Sequence, residues 1–202
     1  MPDSLPELVS TMKRSLAALR GDGIEVVLGG GLAVWARGGP ATEHDVDLFV
    51  RERDAERALA SLAALGFETE RPPEGWLFKT WDGDILVDLI FDPAGGPVDD
   101  LLFERAEWME VMAQPALVAA VDDVLVSKLL ALAEHDLDYR PVLEVARSLR
   151  EQVDWADVRR RTAASPFAAA FLTLVETLGI ASPLDAEIPP LGHVTPLRRT
   201  GV

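Results

Sequence analysis

The sequence contains no cysteine, and only three of its 202 residues are lysine. Without cysteine the chain can form neither disulfide bonds nor thiolate metal sites, and this composition fits a reducing compartment. No apolar run reaches the roughly 18–20 residues that cross a membrane, and the first residues lack the pattern of a signal peptide. We therefore expect a cytoplasmic protein that is not inserted in a membrane.

Positive charge is scarce in general. Lysine and arginine together number 19 against 34 aspartates and glutamates, which gives a net charge of −15 at pH 7. This balance argues against a broad basic surface, so nucleic acid is not favoured as a partner. An acidic cleft would suit a divalent metal ion or a cationic substrate, whereas general acidity also keeps a protein in solution without any specific role.

The hydrophobic pattern predicts an α/β protein (α+β in arrangement). Strands are predicted at 24–28, 44–50, 67–70, 76–81, 84–91 and 110–113, and helices at 4–20, 32–36, 54–65, 99–106, 122–132, 139–149, from 154 onward and 165–178. We expect a domain at 1–113 in which helices flank a small mixed sheet. A helical domain at 114–181 and an extended tail at 182–202 would follow.

One stretch combines glycines with paired carboxylates. A strand runs into Gly29, Gly30 and Gly31, and the next strand carries Asp45 and Asp47. Side chains two apart on a strand share a face, and two adjacent carboxylates repel each other unless a cation or a proton lies between them. Oxygen ligands at this spacing suit Mg²⁺ held together with phosphates, and glycines let backbone N–H groups approach a phosphate closely.

Asp88 lies in the middle of an otherwise apolar strand, where an unpaired carboxylate is costly to bury. One interpretation is an exposed edge position or a structural carboxylate that accepts hydrogen bonds. The other is a third carboxylate that joins Asp45 and Asp47 at the same metal ion.

Three further polar side chains are weaker candidates. Lys128 shares a helix face with apolar residues, so it either reaches a phosphate or covers apolar surface with its stem while its head reaches water. Lys79 could point into the same cleft from the strand before Asp88. His44 precedes Asp45 and could assist the site, although a structural or exposed histidine is the simpler interpretation.

Two groups of residues are ambiguous in the same way. The first group is typical of a metal site by composition but lies between two predicted helices, where a solvated loop is expected: Glu134, His135, Asp136 and Asp138. The second group could stack on a base but more often packs in a core: Trp35, Trp76 and Trp81.

These motifs together resemble a known superfamily. The runs that carry the resemblance are Gly30-Gly31-Leu32-Ala33, Asp45-Val46-Asp47 and Val87-Asp88-Leu89. They are similar to the nucleotidyltransferases of the polymerase-beta type, in particular to small bacterial members related to abortive-infection or toxin-type and aminoglycoside nucleotidyltransferases. The core of the resemblance covers residues 24–91, and the helical stretch 127–132 is similar to the second half of the toxin-type relatives.

The resemblance implies a reaction and a set of roles. Asp45 and Asp47 would hold one or two Mg²⁺ or Mn²⁺ ions against the triphosphate of an NTP, and Asp88 would share a metal or act as general base. The backbone of Gly30 and Gly31 would hold the β- and γ-phosphates. A nucleoside monophosphate would then pass to an acceptor hydroxyl, on a small molecule, a protein or an RNA end, with release of pyrophosphate.

The sequence departs from the family pattern in ways that keep two alternatives open. Relatives often carry a serine at the position of Gly31, and many have an arginine shortly before the aspartate pair, where this chain has Glu43 and His44, with Arg37 the nearest arginine. One alternative is a binding or regulatory protein that has lost turnover. The other is a toxin-like component of a two-protein system, which would have a protein partner.

Overall fold

The computed structural model describes residues 5–41 and 45–182. The predicted α/β class is confirmed, because helices pack against a mixed sheet that has seven strands in this part of the chain. Glu43, His44 and the predicted extended tail from 183 onward lie outside the described residues.

The sheet is built from strands that are not consecutive in sequence. In chain order they are β1 Val27–Leu28, β2 Asp45–Phe49, β3 Glu68–Glu70, β4 Leu77–Asp82, β5 Ile85–Ile90, β6 Glu107–Val111 and β7 Gln114–Val118. Their order across the sheet is β3-β4-β5-β2-β1-β7-β6. The pairs β2–β5 and β1–β7 are parallel, and the other neighbours are antiparallel. The strand with two aspartates is therefore central.

Four of the described helices precede or alternate with the strands in chain order, and four follow the last strand. They are α1 Leu5–Gly21, α2 Gly30–Ala36, α3 Glu52–Ala64, α4 Asp100–Arg105, α5 Val121–Leu130, α6 Arg140–Ser148, α7 Trp155–Arg161 and α8 Pro166–Thr177. A short 3-10 turn, Arg150–Gln152, follows α6. Within residues 5–41 and 45–182, none of the helices has the length and apolarity that a membrane crossing requires.

The core lies on one face of the central strands. Val46 and Leu48 of β2 and Val87 and Leu89 of β5 are fully buried, and α1 and α3 pack against these strands. Because side chains alternate along a strand, the intervening aspartates project from the opposite face. Burial of the apolar face, at about 25 cal/mol per Å² removed from water, fixes the strand register that positions the aspartates.

The strands predicted at 76–81 and 84–91 pair as a hairpin. Strands β4 and β5 pair in antiparallel fashion with Asp82 opposite Ile85, so the loop consists of Gly83 and Asp84. Gly83 has a φ of 62°, which a glycine adopts without a steric penalty at the first position of such a loop. The same register places Lys79 directly opposite Asp88.

A second hairpin, β6–β7, corrects the prediction of a strand at 110–113 and of helix from Pro115 onward. Met112 and Ala113 form the loop, and Pro115 lies within β7. This turn contains neither glycine nor asparagine, and a proline is unusual within a strand. The hairpin therefore has no recognisable signal in the sequence. The division of the chain into domains at 113 and 114 stays a prediction.

The start of α5 also differs from expectation. The helix predicted at 122–132 begins at Val121, and its N-cap, Ala120, contributes no side-chain hydrogen bond. Asp123 is buried, and one of its oxygens, Oδ1, accepts hydrogen bonds from Arg105 at 2.7 Å and from Arg161 at 2.6 Å. These two ion pairs at the buried Asp123 join α4 and α7 to α5.

Candidate active site

Three aspartates meet on the open face of the sheet. Asp45 and Asp47 lie two residues apart on β2, and Asp47 is the direct parallel partner of Asp88 on β5. One carboxylate oxygen from each of the three lies within 4.8 Å of the others. Of the two interpretations of Asp88, the structure therefore supports proximity to the aspartate pair.

The electrostatics of this cluster follow from its burial and its like charges. Burial raises the pKa of Asp47 to about 7, with the charges of Asp45 and Asp88 acting in the same direction, while Lys128 and the backbone N–H of Gly31 lower it. Burial likewise raises the pKa of Asp88 to about 6; Lys79 lowers this pKa and Asp45 raises it. Both carboxylates thus hold their charge less readily than a free aspartate.

The donor set fits a hard divalent cation. Oδ1 of Asp88 is buried and has no hydrogen-bond partner among the described residues. A buried oxygen without a partner is unfavourable, and a cation between the three carboxylates would satisfy it while removing their repulsion. Carboxylate oxygens, without nitrogen or sulfur ligands, suit Mg²⁺ or Mn²⁺.

The glycine turn is packed directly against Asp47. The N–H of Gly29 donates to the backbone oxygen of Asp47 at 2.8 Å. A Cβ atom at Gly30 would lie 1.6 Å from Oδ2 of Asp47, and the φ of Gly30 is 50°. Gly30 is therefore required first for the close approach of the turn to the carboxylate. That the backbone of Gly30 and Gly31 holds phosphates stays a prediction.

A cleft of about 530 Å³ opens on the side of Asp45 and Asp47. Gly31, Val34 and Pro40 line it from the sheet half of the protein. The helical half contributes Lys128 from α5 together with Pro141, Glu144 and Val145 from α6. The predicted candidate Lys128 thus lies in the same cleft as the aspartates, and it is the one cation among the described residues that line it.

A separate groove of about 380 Å³ opens on the side of Asp88. Lys79, Trp76 and Trp81 line it, together with Glu70 and Glu74. Two of the three tryptophans with a candidate stacking role therefore lie beside the carboxylate cluster. The third, Trp35, is partly buried and packs against the core.

The remaining candidates do not join the site. Glu134, His135 and Asp136 are exposed around a turn closed by an isolated bridge, and Asp138 pairs with Arg140. Arg37 donates from Nε to the backbone oxygen of Ala119 at 2.7 Å, and its side chain is largely buried there. Arg37 therefore fixes α2 to the end of β7 and does not supply the arginine that many relatives carry beside the aspartates.

The contribution of α6 to the cleft has no signal in the sequence. Pro141, Glu144 and Val145 were predicted only as part of a helix, and they reach the cleft because α6 packs against α5. Such a contact depends on tertiary packing, for which a single sequence carries no local signal.

Comparisons with known proteins agree with this geometry. The sequence matches a family described as an uncharacterised nucleotidyltransferase over residues 8–186. No curated protein sequence matches the chain significantly. The fold, however, is similar to several solved structures.

Two of these similar structures are of ANT(2″)-Ia, an antibiotic-resistance factor. The complex of that protein with adenylyl-2″-tobramycin has 17% identity and a TM-score of 0.60, with 81% of this chain and 98% of that chain covered. Its solution structure has 17% identity and a TM-score of 0.59, with 85% and 96% covered. JHP933 from Helicobacter pylori has 14% identity and a TM-score of 0.51, with 92% and 83% covered. At these identities the likeness establishes the fold alone.

Proposed function

Because the chain belongs to this family of nucleotidyltransferases, we propose that it moves a nucleoside monophosphate from an NTP to an acceptor hydroxyl and releases pyrophosphate. The observation that carries this proposal is the meeting of Asp45, Asp47 and Asp88 beside a cleft that also contains Lys128. A cluster of carboxylates without a counter-ion is unfavourable, whereas the same cluster with a divalent cation is suited to phosphoryl-type transfer.

The three aspartates are the residues that would hold Mg²⁺ or Mn²⁺. When bound, such an ion neutralises the charge of the triphosphate and stabilises the charge that develops at the α-phosphate. Asp45 and Asp47 line the cleft, so they would hold the ion on the nucleotide side. Asp88 lines the groove, so it would complete the site from the acceptor side.

The cleft is suited to the nucleotide. Lys128 provides an ammonium group on the wall opposite the sheet, where it would bind a phosphate oxygen. The glycine turn approaches Asp47 closely, and the backbone of Gly30 and Gly31 would hold the phosphates from the other wall. Val34, Pro40, Pro141 and Val145 give the cleft an apolar lining against which a base would rest.

Asp88 is suited to accept the proton of the attacking hydroxyl. The hydroxyl oxygen would form a bond to the α-phosphorus, the bond to pyrophosphate would break, and the proton would pass to the carboxylate of Asp88. In the metal-free protein, burial raises the pKa of this carboxylate to about 6, so it is a stronger base than a free aspartate while it stays mostly ionised at neutral pH.

A second candidate function is nucleotide binding without turnover. The specific observation in its favour is that, among the described residues that line the cleft, the triphosphate would meet Lys128 as the one cation. Gly31 also lacks the hydroxyl that a serine would bring to the phosphates at this position. A toxin-like component of a two-protein system would carry out the same transfer reaction and would have a protein partner. Growth arrest on expression would identify it.

Calorimetric titration of ATP, GTP, CTP and UTP with Mg²⁺ or Mn²⁺ tests the proposal. We expect metal-dependent binding of at least one nucleotide to the wild type and its loss in Asp45→Asn/Asp47→Asn. The control is Asp84→Asn/Asp136→Asn, which removes the same charge at exposed positions outside the cleft.

Pyrophosphate release then distinguishes the two candidate functions. An acceptor screen should include hydroxyl-bearing antibiotics, because the complex of ANT(2″)-Ia contains an adenylylated one, as well as RNA ends and proteins. Nucleotide binding without pyrophosphate release for any acceptor would favour the second candidate function, nucleotide binding without turnover. Absence of metal-dependent nucleotide binding would overturn both.

A further inference from the structure

Four charged side chains stand in one row across the sheet. Glu70 on β3 is opposite Lys79 on β4, Lys79 is opposite Asp88 on β5, and Asp88 is opposite Asp47 on β2. Residues in direct register project from the same face of a sheet. From the centre of the sheet towards the β3 edge, the row therefore runs from the acidic Asp47 and Asp88 through the basic Lys79 to the acidic Glu70.

The groove beside Asp88 covers the outer part of this row. Trp76, whose residue is 39% exposed, forms one wall, and the Pro72-Pro73 segment stiffens the loop above it. The backbone oxygen of Trp76 accepts hydrogen bonds from the N–H groups of Phe91 and Asp92, at 3.1 and 3.0 Å. An exposed aromatic side chain on a fixed backbone is a preorganised surface for a ring.

The groove and the nucleotide cleft lie on opposite sides of the carboxylates. Asp45 and Asp47 line the cleft, and Asp88 lines the groove. A nucleotide in the cleft would thus leave the groove open to the second substrate. The acceptor hydroxyl would reach Asp88 from the groove, which is the direction that its role as a base requires.

The charges along the row select among acceptors. In the described part of the chain, neither Lys79 nor Glu70 has an ion-pair partner within 4.0 Å, so both are free to act on a bound molecule. Adjacent strands are about 4.8 Å apart, so Glu70 lies roughly 10 Å from Asp88 along the row. Lys79 repels a cation placed between them, and Glu70 with Glu74 attracts one beyond it.

From this arrangement we propose that the groove binds the acceptor, and that the acceptor is a small ring-bearing alcohol with an amine about two strand spacings from the reacting hydroxyl. Its ring rests on Trp76, its ammonium group pairs with Glu70, and Lys79 excludes compounds whose amine is close to the hydroxyl. This inference rests on the proposed function, because the groove has an acceptor only if the cleft has a donor nucleotide.

Three probes test the spacing. The first is trans-4-(3-aminopropyl)cyclohexanol, whose extended amine reaches the position of Glu70. The second is trans-4-aminocyclohexanol, whose amine falls beside Lys79, and the third is the uncharged 4-propylcyclohexanol. Binding of each is measured by calorimetry with Mg²⁺, both without nucleotide and with a non-transferable ATP analogue. We expect the long amine to bind at least threefold more tightly than either other probe.

Variants assign the selection to particular side chains. Glu70→Gln should weaken binding of the long amine about twofold to fivefold, the range for an exposed charge pair, and Trp76→Ala about threefold to tenfold, the range for an aromatic contact. Lys79→Met should reduce the preference for the long over the short amine. The matched control is Glu110→Gln, an exposed glutamate on β6 at the other edge of the sheet.

The outcomes separate this inference from the proposed function. Loss of nucleotide binding with retained binding of the long amine overturns the proposed function and the acceptor role that rests on it, whereas probe binding without nucleotide still tests the selectivity of the groove. Failure of the long amine to bind, equal binding of the three probes, or an unchanged affinity in both Glu70→Gln and Trp76→Ala overturns the inference. If pyrophosphate release proceeds with an RNA end at the same rate in wild type and Glu70→Gln, the groove is likewise not a selective acceptor site for amines.

Discussion

Asp47 on β2 and Asp88 on β5 are direct partners in a parallel strand pair, so their carboxylates leave the sheet side by side. Burial of Val46 and Leu48 on the opposite face holds this register, because a slip by one residue would turn the aspartates into the core. The fold thereby maintains a repulsive arrangement of charge, which protons or a bound cation can relieve.

In the absence of metal, the protein should lose stability as the pH rises. The folded-state pKa values of Asp47 and Asp88, about 7 and about 6, exceed the ordinary value near 4. Between pH 4 and pH 7 the folded state therefore binds more protons than the unfolded state, so its stability falls as the pH rises through this window. We expect the free energy of unfolding, measured with urea and a chelator, to fall by about 2–4 kcal/mol, most of it from Asp47, because solvent screens the partly exposed Asp88.

Two comparisons test whether the carboxylate cluster causes this pH dependence of stability. Asp47→Asn, which has no charge to lose, should be more stable than the wild type at pH 8 and should show a flatter profile. Millimolar Mg²⁺ should raise the stability of the wild type at pH 8 and leave Asp47→Asn nearly unchanged. A profile that is flat in the metal-free wild type would contradict the raised pKa values.

Gly30→Ala should abolish metal-dependent nucleotide binding. The new Cβ would lie 1.6 Å from Oδ2 of Asp47, so either the turn or the carboxylate must move. We also expect a loss of at least about 2 kcal/mol in stability, since a clash adds to the cost of a positive φ in alanine. Calorimetry with ATP and Mg²⁺ and urea unfolding measure the two effects.

Gly23→Ala is the matched control for this substitution. Gly23 also has a positive φ, 69°, but nothing lies within 4 Å of its would-be Cβ. Gly23→Ala should lose only the stability that a positive φ costs an alanine, about 1 kcal/mol, and should still bind nucleotide. If both variants bind nucleotide equally well, the close packing of Gly30 on Asp47 has no role in the site.

The central part of the site was predictable from the sequence because its signals are local. Two aspartates at strand spacing, a glycine turn before them and a lone aspartate in an apolar strand each conflict with simple core packing. The hairpin that brings Lys79 opposite Asp88 also has a local signature in Gly83. The structure then unites these elements on one face of the sheet.

Other features depend on tertiary packing and carry no such signal. Glu144 reaches the cleft because α6 packs on α5. Asp123, near the start of α5, is buried between Arg105 and Arg161, which lie 18 and 38 residues away from it in the sequence. β7 contains Pro115 and completes the sheet beside β1, where the sequence pattern favoured the start of the helical half.

Lys128→Met should weaken nucleotide binding and leave the fold intact. Lys128 is half-buried in the cleft, close enough to Asp47 to lower its pKa. Loss of a charge-assisted hydrogen bond to phosphate costs about 1.5–3 kcal/mol, so affinity for ATP with Mg²⁺ should fall about tenfold to a hundredfold. The pKa of Asp47 should rise further at the same time, which weakens metal binding near neutral pH.

The chain offers its own controls, since it has only three lysines. Lys13→Met on α1 removes the same charge outside the cleft and should bind nucleotide as the wild type does. Lys128→Arg should restore part of the affinity, because the guanidinium keeps the charge. Equal affinities in Lys128→Met and Lys13→Met would remove Lys128 from the nucleotide site.

The β6–β7 loop should be a site where stability can be gained without cost to activity. Met112 and Ala113 have φ values of 50° and 61°, and they are the non-glycine residues with positive φ in the described part of the chain. Each such residue costs about 1–2 kcal/mol relative to a residue suited to this conformation, and Asn-Gly is the pair preferred in such two-residue loops. Glycine offsets part of this gain by increasing the entropy of the unfolded chain, and asparagine is only partly relieved of the cost, so a net gain of about 1 kcal/mol is expected. Met112→Asn/Ala113→Gly should therefore raise the melting temperature by about 2–4 °C.

The location of this loop makes the result informative about the site. β6 is the edge strand farthest from β3, and the loop lies outside both the cleft and the groove, so nucleotide binding should be unchanged. Ala113→Gly alone should give a smaller gain, because glycine also increases the entropy of the unfolded chain. A lower melting temperature in the double variant would mean that Met112 contributes apolar contacts that outweigh its backbone strain.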